Sequence, residues 1–264
     1  MSSMPVFFIG HGSPMNAIED TRFRRGWARA VAGLPRPRAV LCVSAHWETP
    51  DVAVTAAAAP ATIHDFHGFP ERLFAVRYPA PGAPELARRI AALVAGARVR
   101  LDERRGLDHG AWAVLLAMFP DADVPVLQLS LESTRSAALH YALGRELRPL
   151  RDEGVLIVGS GDIVHNLGLM DWQRSDGYGW AATFEAAVLE RIRAGDHQSL
   201  LDVHRLAPDA PLALPTPEHY LPLLYVLALQ REEDQVDVFN QALVYGSISM
   251  TCLRLAASPR DTSD

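Results

Sequence analysis

A chain of 264 residues that is 49% hydrophobic has enough apolar material for one large α/β domain or two small ones, and its formal charge of −6, with arginine and carboxylates interspersed, offers no basic stripe for nucleic acid. No apolar run reaches the length of a membrane span, and the complete absence of lysine excludes Schiff-base chemistry, a Walker-type phosphate loop and a lysine general base. The two cysteines, Cys42 and Cys252, lie in apolar segments and match no zinc-ribbon spacing, so both are read as reduced, buried thiols.

In chain order, Met1-Ser2-Ser3-Met4-Pro5 runs straight into an apolar stretch without a basic region, so no signal peptide is expected and a cytoplasmic location is. A strand is predicted at about 5–10, then a helix over 16–32 and a second strand over 39–45. Residues 49–81, rich in Ala, Pro and Gly and carrying several aromatics, read as a long loop, and such loops in compact domains are more often functional than idle. Pro84-Glu85 opens a helix over 83–95, followed by a strand at 97–101. Asp108 is a plausible N-cap for a helix over 110–118, and a strand at 124–131 and a helix at 136–150 come next. The run Val155-Leu156-Ile157-Val158 marks a strand over 154–160, with helices at 180–194 and 197–205 beyond it. Thr216-Pro217 reads as N-cap and first residue of a helix over 217–230, and strands at 235–240 and 243–254 precede a polar tail at 258–264 that is expected to fray. Alternation of this kind predicts the α/β class: one domain over 1–264, with a mostly parallel or mixed central sheet and helices on both faces.

Three of the apolar strands lead to a histidine: Val6–Gly10 to His11, the second strand to His46, and the run ending Gly159-Ser160-Gly161 to His165. Ligands of open α/β sheets bind at the carboxyl ends of strands, and imidazole is the commonest protein metal ligand, so these histidines predict a metal site. His11 is flanked by glycines that leave room for a ligand, and His46 on a neighbouring strand would bring a second ring to one ion. His165 lies a few residues past its strand, as a ligand or as an acid/base above the metal. His109 falls at a helix N-terminus, where the positive helix end favours a neutral, hydrogen-bonding ring. His219 falls in a first helical turn, where histidines are usually solvated, so local pattern ranks it low; Glu218 beside it is a further candidate ligand. His64 and His67 are read as pocket or loop residues, and His140, His197 and His204 as packing or surface residues.

Gly10-His11-Gly12-Ser13-Pro14-Met15, Ser44-Ala45-His46-Trp47, Asp108-His109-Gly110, Val164-His165-Asn166 and Thr216-Pro217-Glu218-His219-Tyr220, in this order, resemble the DOPA-dioxygenase-type class III extradiol ring-opening dioxygenases of the LigB-like superfamily. The resemblance runs from Val6 to about Leu253. It implies a single α/β domain with a non-haem metal held by His11, His46 and His219, and with His165 as a fourth zinc ligand or as the acid/base over the metal. It implies that His109 lies near substrate; Trp47, His64, Phe66 and Phe69 are the expected substrate contacts. It departs from the family pattern at Phe66-His67-Gly68, where His67 stands in place of Gly or Tyr. The implied chemistry is the opening of a catechol-type, DOPA-like aromatic with O2, with Fe(II) for activity and Zn(II) in the isolated protein, by a monomer or small homo-oligomer without nucleic-acid or membrane partners. Two other readings use the same residues: a zinc-dependent hydrolase, and a non-catalytic metal-binding protein on the same scaffold.

Overall fold

The computed structural model describes residues 3–257, so the segment expected to fray, 258–264, lies outside the described residues. Its strands are β1 (Val6–Gly10), β2 (Ala39–Thr49), β3 (Val52–Thr55), β4 (Val99–Asp102), β5 (Val126–Glu132), β6 (Val155–Gly161), β7 (Asp234–Phe239), β8 (Leu243–Val244), β9 (Ile248–Ser249) and β10 (Cys252–Ala257). Eight of them form one sheet in the order β4-β3-β5-β2-β6-β1-β10-β7, and β8 pairs with β9 in a separate ribbon. The centre, β5-β2-β6-β1, is parallel, while β3 runs antiparallel to β5, and β10 antiparallel to both β1 and β7. This is the mixed α/β sheet expected from the strand order along the chain.

Alternation along each strand divides the interior into two cores. Val6 and Phe8 of β1 join Leu41, Ile157 and the helices Gly179–Arg193 and Leu221–Ala228 on one face. Phe7 and Ile9 join Val40, Val158, Trp27 and Trp112 on the other, under the helices Arg22–Val31 and His109–Met118. Because both faces are covered, the central strands read as unbroken apolar runs. Among the described residues, no helix is long and apolar enough to cross a membrane. Cys42 and Cys252 are free and buried, and burial pushes both thiols up, Cys252 to about 12.

The structure corrects four predicted elements. The 49–81 loop contains β3, which pairs with β4 and β5. The predicted helix 16–32 is a 3-10 turn at Pro14–Ala17 and a helix Arg22–Val31, because the Thr21 hydroxyl caps Arg24 N–H at 3.1 Å and starts a new helix. The predicted strand 243–254 breaks at Tyr245 and Gly246, whose φ values of 54° and 79° turn the chain between β8 and β9. The helix after Thr216 begins only at Leu221, leaving His219 on the turn before it.

Far from the histidines, Arg151 is 1% exposed and spans the Asp234 carboxylate with both terminal nitrogens, while its Nε donates to Met4 O at 2.8 Å. This pair ties the start of β7 to the segment entering β1. Asp234→Ala leaves the buried guanidinium without its counter-charge and is expected to lower the unfolding free energy by about 3–5 kcal/mol. Urea denaturation measures the loss, and a change under 1 kcal/mol would show that the pair does not hold these segments.

Candidate active site

His11 follows β1 directly, and its N–H donates to Gly161 O at 3.2 Å, which fixes it against the end of β6. His46 lies inside β2, in a stretch where the register with β5 shifts between Val43 and Glu48; such bulges re-aim side chains. Ser44 Oγ donates to Asp108 Oδ1 at 2.8 Å and accepts from His46 N at 3.2 Å, while Arg105 donates to His46 O and to Asp108 Oδ2, both at 3.1 Å. Asp108 also accepts from Ala111 N at 3.2 Å, as N-cap of the helix that begins with His109. One buried carboxylate therefore positions both His46 and His109.

His219 reaches the site by a close approach of backbones. Its carbonyl accepts from Asp162 N at 2.9 Å, so it is withdrawn from helical hydrogen bonding, and the helix starts two residues later. A Cβ on Gly161 would stand 2.1 Å from His219 O, so only glycine at the end of β6 admits this turn.

The rings of His11, His46 and His219 form a triangle with centroid separations of 5.0, 5.4 and 4.9 Å, and His109 lies 4.0 Å from His46. Each of the four has its Nδ1 turned to a polar partner: Ser160 Oγ at 3.0 Å for His11, Glu218 Oε1 at 3.0 Å for His219, and Asp65 Oδ2 at 3.0 Å for His109 and 3.7 Å for His46. Ser160 spends its hydroxyl hydrogen on Gly110 O at 2.5 Å, so His11 Nδ1 must be the donor to Ser160, and His11 Nε2 carries a lone pair. His46 Nε2 faces that atom at 3.0 Å, a contact that is attractive only with a proton or a cation between the nitrogens. Among the described residues, the buried His219 Nε2 and His109 Nδ1 have no hydrogen-bond partner. Asp162 accepts from Gly12 N at 3.2 Å through Oδ1, while its Oδ2 has no donor among the described residues and lies 3.6 Å from His11 Nε2.

Burial first, and the neighbouring histidines second, hold His11, His46 and His165 well below the ordinary histidine range, His165 at about 3. Burial lowers His219 too, against the opposing pull of Glu218. Burial raises Glu218 and Asp65, but hydrogen bonds outweigh it and both end low, Glu218 at about 2 through His219. Burial alone drives Asp162 well above the usual carboxylate range. At neutral pH the imidazoles are uncharged, the form in which they bind metals.

The histidines sit at the base of a cavity of about 330 Å³. Phe66 and Phe69, two of the expected substrate contacts, line it together with Leu167, Met170, Trp172 and Tyr245. His165 also lines it, face to face with His219 at 3.4 Å and 7° between planes. Two expected substrate contacts do not line it. Trp47 follows His46 along an extended strand, so its side chain turns the other way and is buried with Arg105 5.5 Å from its ring. His64 turns away, with Nε2 on Val76 O at 3.1 Å and its ring 5.8 Å from Phe66, and so backs the aromatic wall. Sequence reading missed Asp65, Ser160 and Asp162 as partners of the histidines; the signals were a carboxylate between His64 and His67 and a Gly-Ser-Gly-Asp at a strand's carboxyl end.

Residues 5–255 match the family described as the catalytic LigB subunit of aromatic ring-opening dioxygenase. The chain belongs to this family. It is 45% identical over 259 residues to the 4,5-DOPA dioxygenase extradiol of Escherichia coli K12, covering 96% of this chain and 94% of that protein. It is 41% identical to the protein of the same name from Beta vulgaris, with 93% and 96% covered. The crystal structure of an uncharacterized protein from Escherichia coli K12 superimposes with a TM-score of 0.83 at 40% identity, covering 96% of this chain and all of that one. The chain is thus an extradiol aromatic ring-opening dioxygenase, an oxidoreductase acting on a small aromatic molecule with O2. The family is metal-dependent, and the residues present fit a metal ion. Two nitrogens 3.0 Å apart, each about 2.0–2.1 Å from an ion, subtend roughly 90–97° at it, within the range of common coordination geometries. Among the described residues, ligand atoms within 4.8 Å of one another occur in three groups, His11 with His46 and His109, His11 with Asp162 and His219, and His165 with Glu218 and His219.

The depressed histidines make stability depend on pH. Below about 6.5, the unfolded chain binds protons that the folded His11, His46, His165 and His219 refuse, so stability rises with pH there. The raised Asp162 works in the opposite sense, one group against four. The metal-free protein is therefore expected to melt at a higher temperature at pH 7 than at pH 5.5. Calorimetry across that window checks this, and a flat or inverted profile would contradict neutral, buried rings.

Proposed function

We propose that the protein opens the ring of a catechol-type, DOPA-like aromatic beside its two hydroxyls, with Fe(II) held by His11, His46 and His219. The observation that carries this reading is the cluster of buried imidazoles, with Nδ1 of His11 and His219 hydrogen-bonded outward and Nε2 of His11 and His46 3.0 Å apart, in an apolar, aromatic-walled cavity. The relatives named 4,5-DOPA dioxygenase extradiol support the substrate class. Fe(II), when bound, supplies redox access to dioxygen and the positive charge that acidifies a catechol hydroxyl.

The chain's own groups then divide the work. Phe66 and Phe69 pack on the aromatic ring, with Phe66 set edge-on to His109 at 5.5 Å. His165 is the acid/base. Its ring stacks parallel on His219 at 3.4 Å, although its ligand atom also lies within 4.8 Å of those of Glu218 and His219, so its acid/base role is the reading that the variant below tests against a ligand role. It takes the hydroxyl proton as substrate binds and returns it to an oxygen of the opening ring. His109 meets a substrate oxygen, and the Asp65 carboxylate, 3.0 Å from its Nδ1, steadies positive charge on that ring while the proton is shared. The aromatic wall excludes water from the reacting face. Zn(II), which has no redox chemistry, would occupy the same imidazoles in the isolated protein and leave it inactive. We place the enzyme in the cytoplasm, as one catalytic domain in a monomer or small homo-oligomer.

Iron-loaded, anaerobically prepared protein is expected to consume O2 with at least one of DOPA, caffeate and protocatechuate, and zinc-loaded protein with none. An oxygen electrode reads both, and no uptake with any catechol would contradict the reading. His165→Gln is expected to lower kcat by about 10²–10⁴ while metal content stays at the wild-type level. Loss of metal from that variant would make His165 a ligand instead.

A further inference from the structure

The mouth of the cavity differs in chemistry from its floor. The segment between β6 and the helix Gly179–Arg193 brings Leu167, Met170 and Trp172 to the cavity, and the turn between β8 and β9 brings Tyr245. Leu167 is 62% exposed and Trp172 61%, the highest values among the large hydrophobic side chains of the described residues, yet both line the same cavity as the buried imidazoles. Apolar surface left uncovered in this way marks a place where a ligand binds. The rim is also preformed. Asp171 N donates to Tyr245 O at 2.9 Å and Tyr245 N to Arg174 O at 3.0 Å, while Tyr178 N donates to Gly246 O at 2.8 Å and Asn166 N to Ser247 O at 3.1 Å. The rings of Trp172 and Tyr245 lie 5.2 Å apart. A rim fixed by its own backbone loses little conformational freedom when it binds. Charge points the same way. Among the described residues, the one formal charge that lines the cavity, histidines aside, is the Asp65 carboxylate; no arginine lines it, and the chain has no lysine. His67, the lining imidazole outside the cluster, is exposed to water. An anionic group entering here would leave water without gaining a counter-charge.

We propose that Leu167, Met170, Trp172 and Tyr245 form an outer subsite that holds the substituent of the catechol, and that this subsite selects an uncharged, apolar substituent over one ending in a carboxylate. The proposal rests on the catechol reading above and narrows it at the end of the substrate remote from the reacting hydroxyls. The imidazole floor takes the two hydroxyls, Phe66 and Phe69 take the ring, and the mouth takes what the ring carries. Each methylene moved from water onto the rim raises affinity, by up to about fourfold when it is fully buried.

Calorimetric titration of zinc-loaded protein, which binds without turnover, compares 4-methylcatechol, 4-propylcatechol and 3-(3,4-dihydroxyphenyl)propionate. 4-Propylcatechol is expected to bind about tenfold more tightly than 4-methylcatechol. The propionate, of similar length, is expected to bind about tenfold more weakly than 4-propylcatechol, or weaker still. In Trp172→Ser, an exchange at an exposed position, the gain from methyl to propyl is expected to fall to about threefold or less. A propionate that binds as tightly as 4-propylcatechol, no gain from methyl to propyl, or a full gain retained in Trp172→Ser would overturn the outer subsite and leave the catechol reading standing. That last result, together with a wild-type dimer that Trp172→Ser dissociates, would give the rim to a second copy of the chain instead. Zinc-loaded protein that binds none of the three compounds would overturn both readings.

Discussion

The hydrogen bond from His11 Nδ1 to Ser160 Oγ, 3.0 Å long, is the contact on which the chemistry of the site turns. Because the serine hydrogen is already given to Gly110 O, the imidazole can only donate, and its Nε2 lone pair is forced inward. Glu218 does the same for His219, while Asp65 lies 3.0 Å from His109 Nδ1 without hydrogen-bond geometry and 3.7 Å from His46 Nδ1, an electrostatic neighbour of both. For His11 and His219, outer partners of this kind fix the tautomer and the orientation of the ring, as they do for histidines that bind metals. Burial then keeps the rings neutral, so protons do not compete with the ion near pH 7.

The sheet exists, for this purpose, to bring those partners within reach. β6 lies between β1 and β2, so the Ser160 at its end sits beside the residue that follows β1. The missing side chain at Gly161 lets a turn from the other end of the chain press its carbonyl onto the strand and deliver His219. The bulge in β2, held by Ser44, Arg105 and Asp108, turns His46 inward. A small number of backbone exceptions in an otherwise regular parallel core therefore make the centre.

The parallel core was legible from its apolar runs, and with it the positions of His11 and His46, because strands buried on both faces have a distinctive composition. β3 was not, since four residues in an Ala- and Pro-rich stretch become a strand only through pairing with β4 and β5. His219 was opaque to local pattern, because its place is set by a hydrogen bond to Asp162, 57 positions earlier; only the resemblance across five motifs singled it out. Trp47 was misassigned although the two-residue period of a strand argued against it. Asp65, Ser160 and Asp162 act on rings distant in sequence, a relation that no single-chain periodicity encodes.

The central claim is that the metal-facing nitrogens are Nε2, with the proton of each ring on Nδ1. Long-range nitrogen-15 NMR of the zinc-loaded protein reads the tautomer of each imidazole directly. The account predicts protonated Nδ1 and metal-coordinated Nε2 for His11, His46 and His219. A proton on Nε2 of any of the three, with zinc bound, would contradict it.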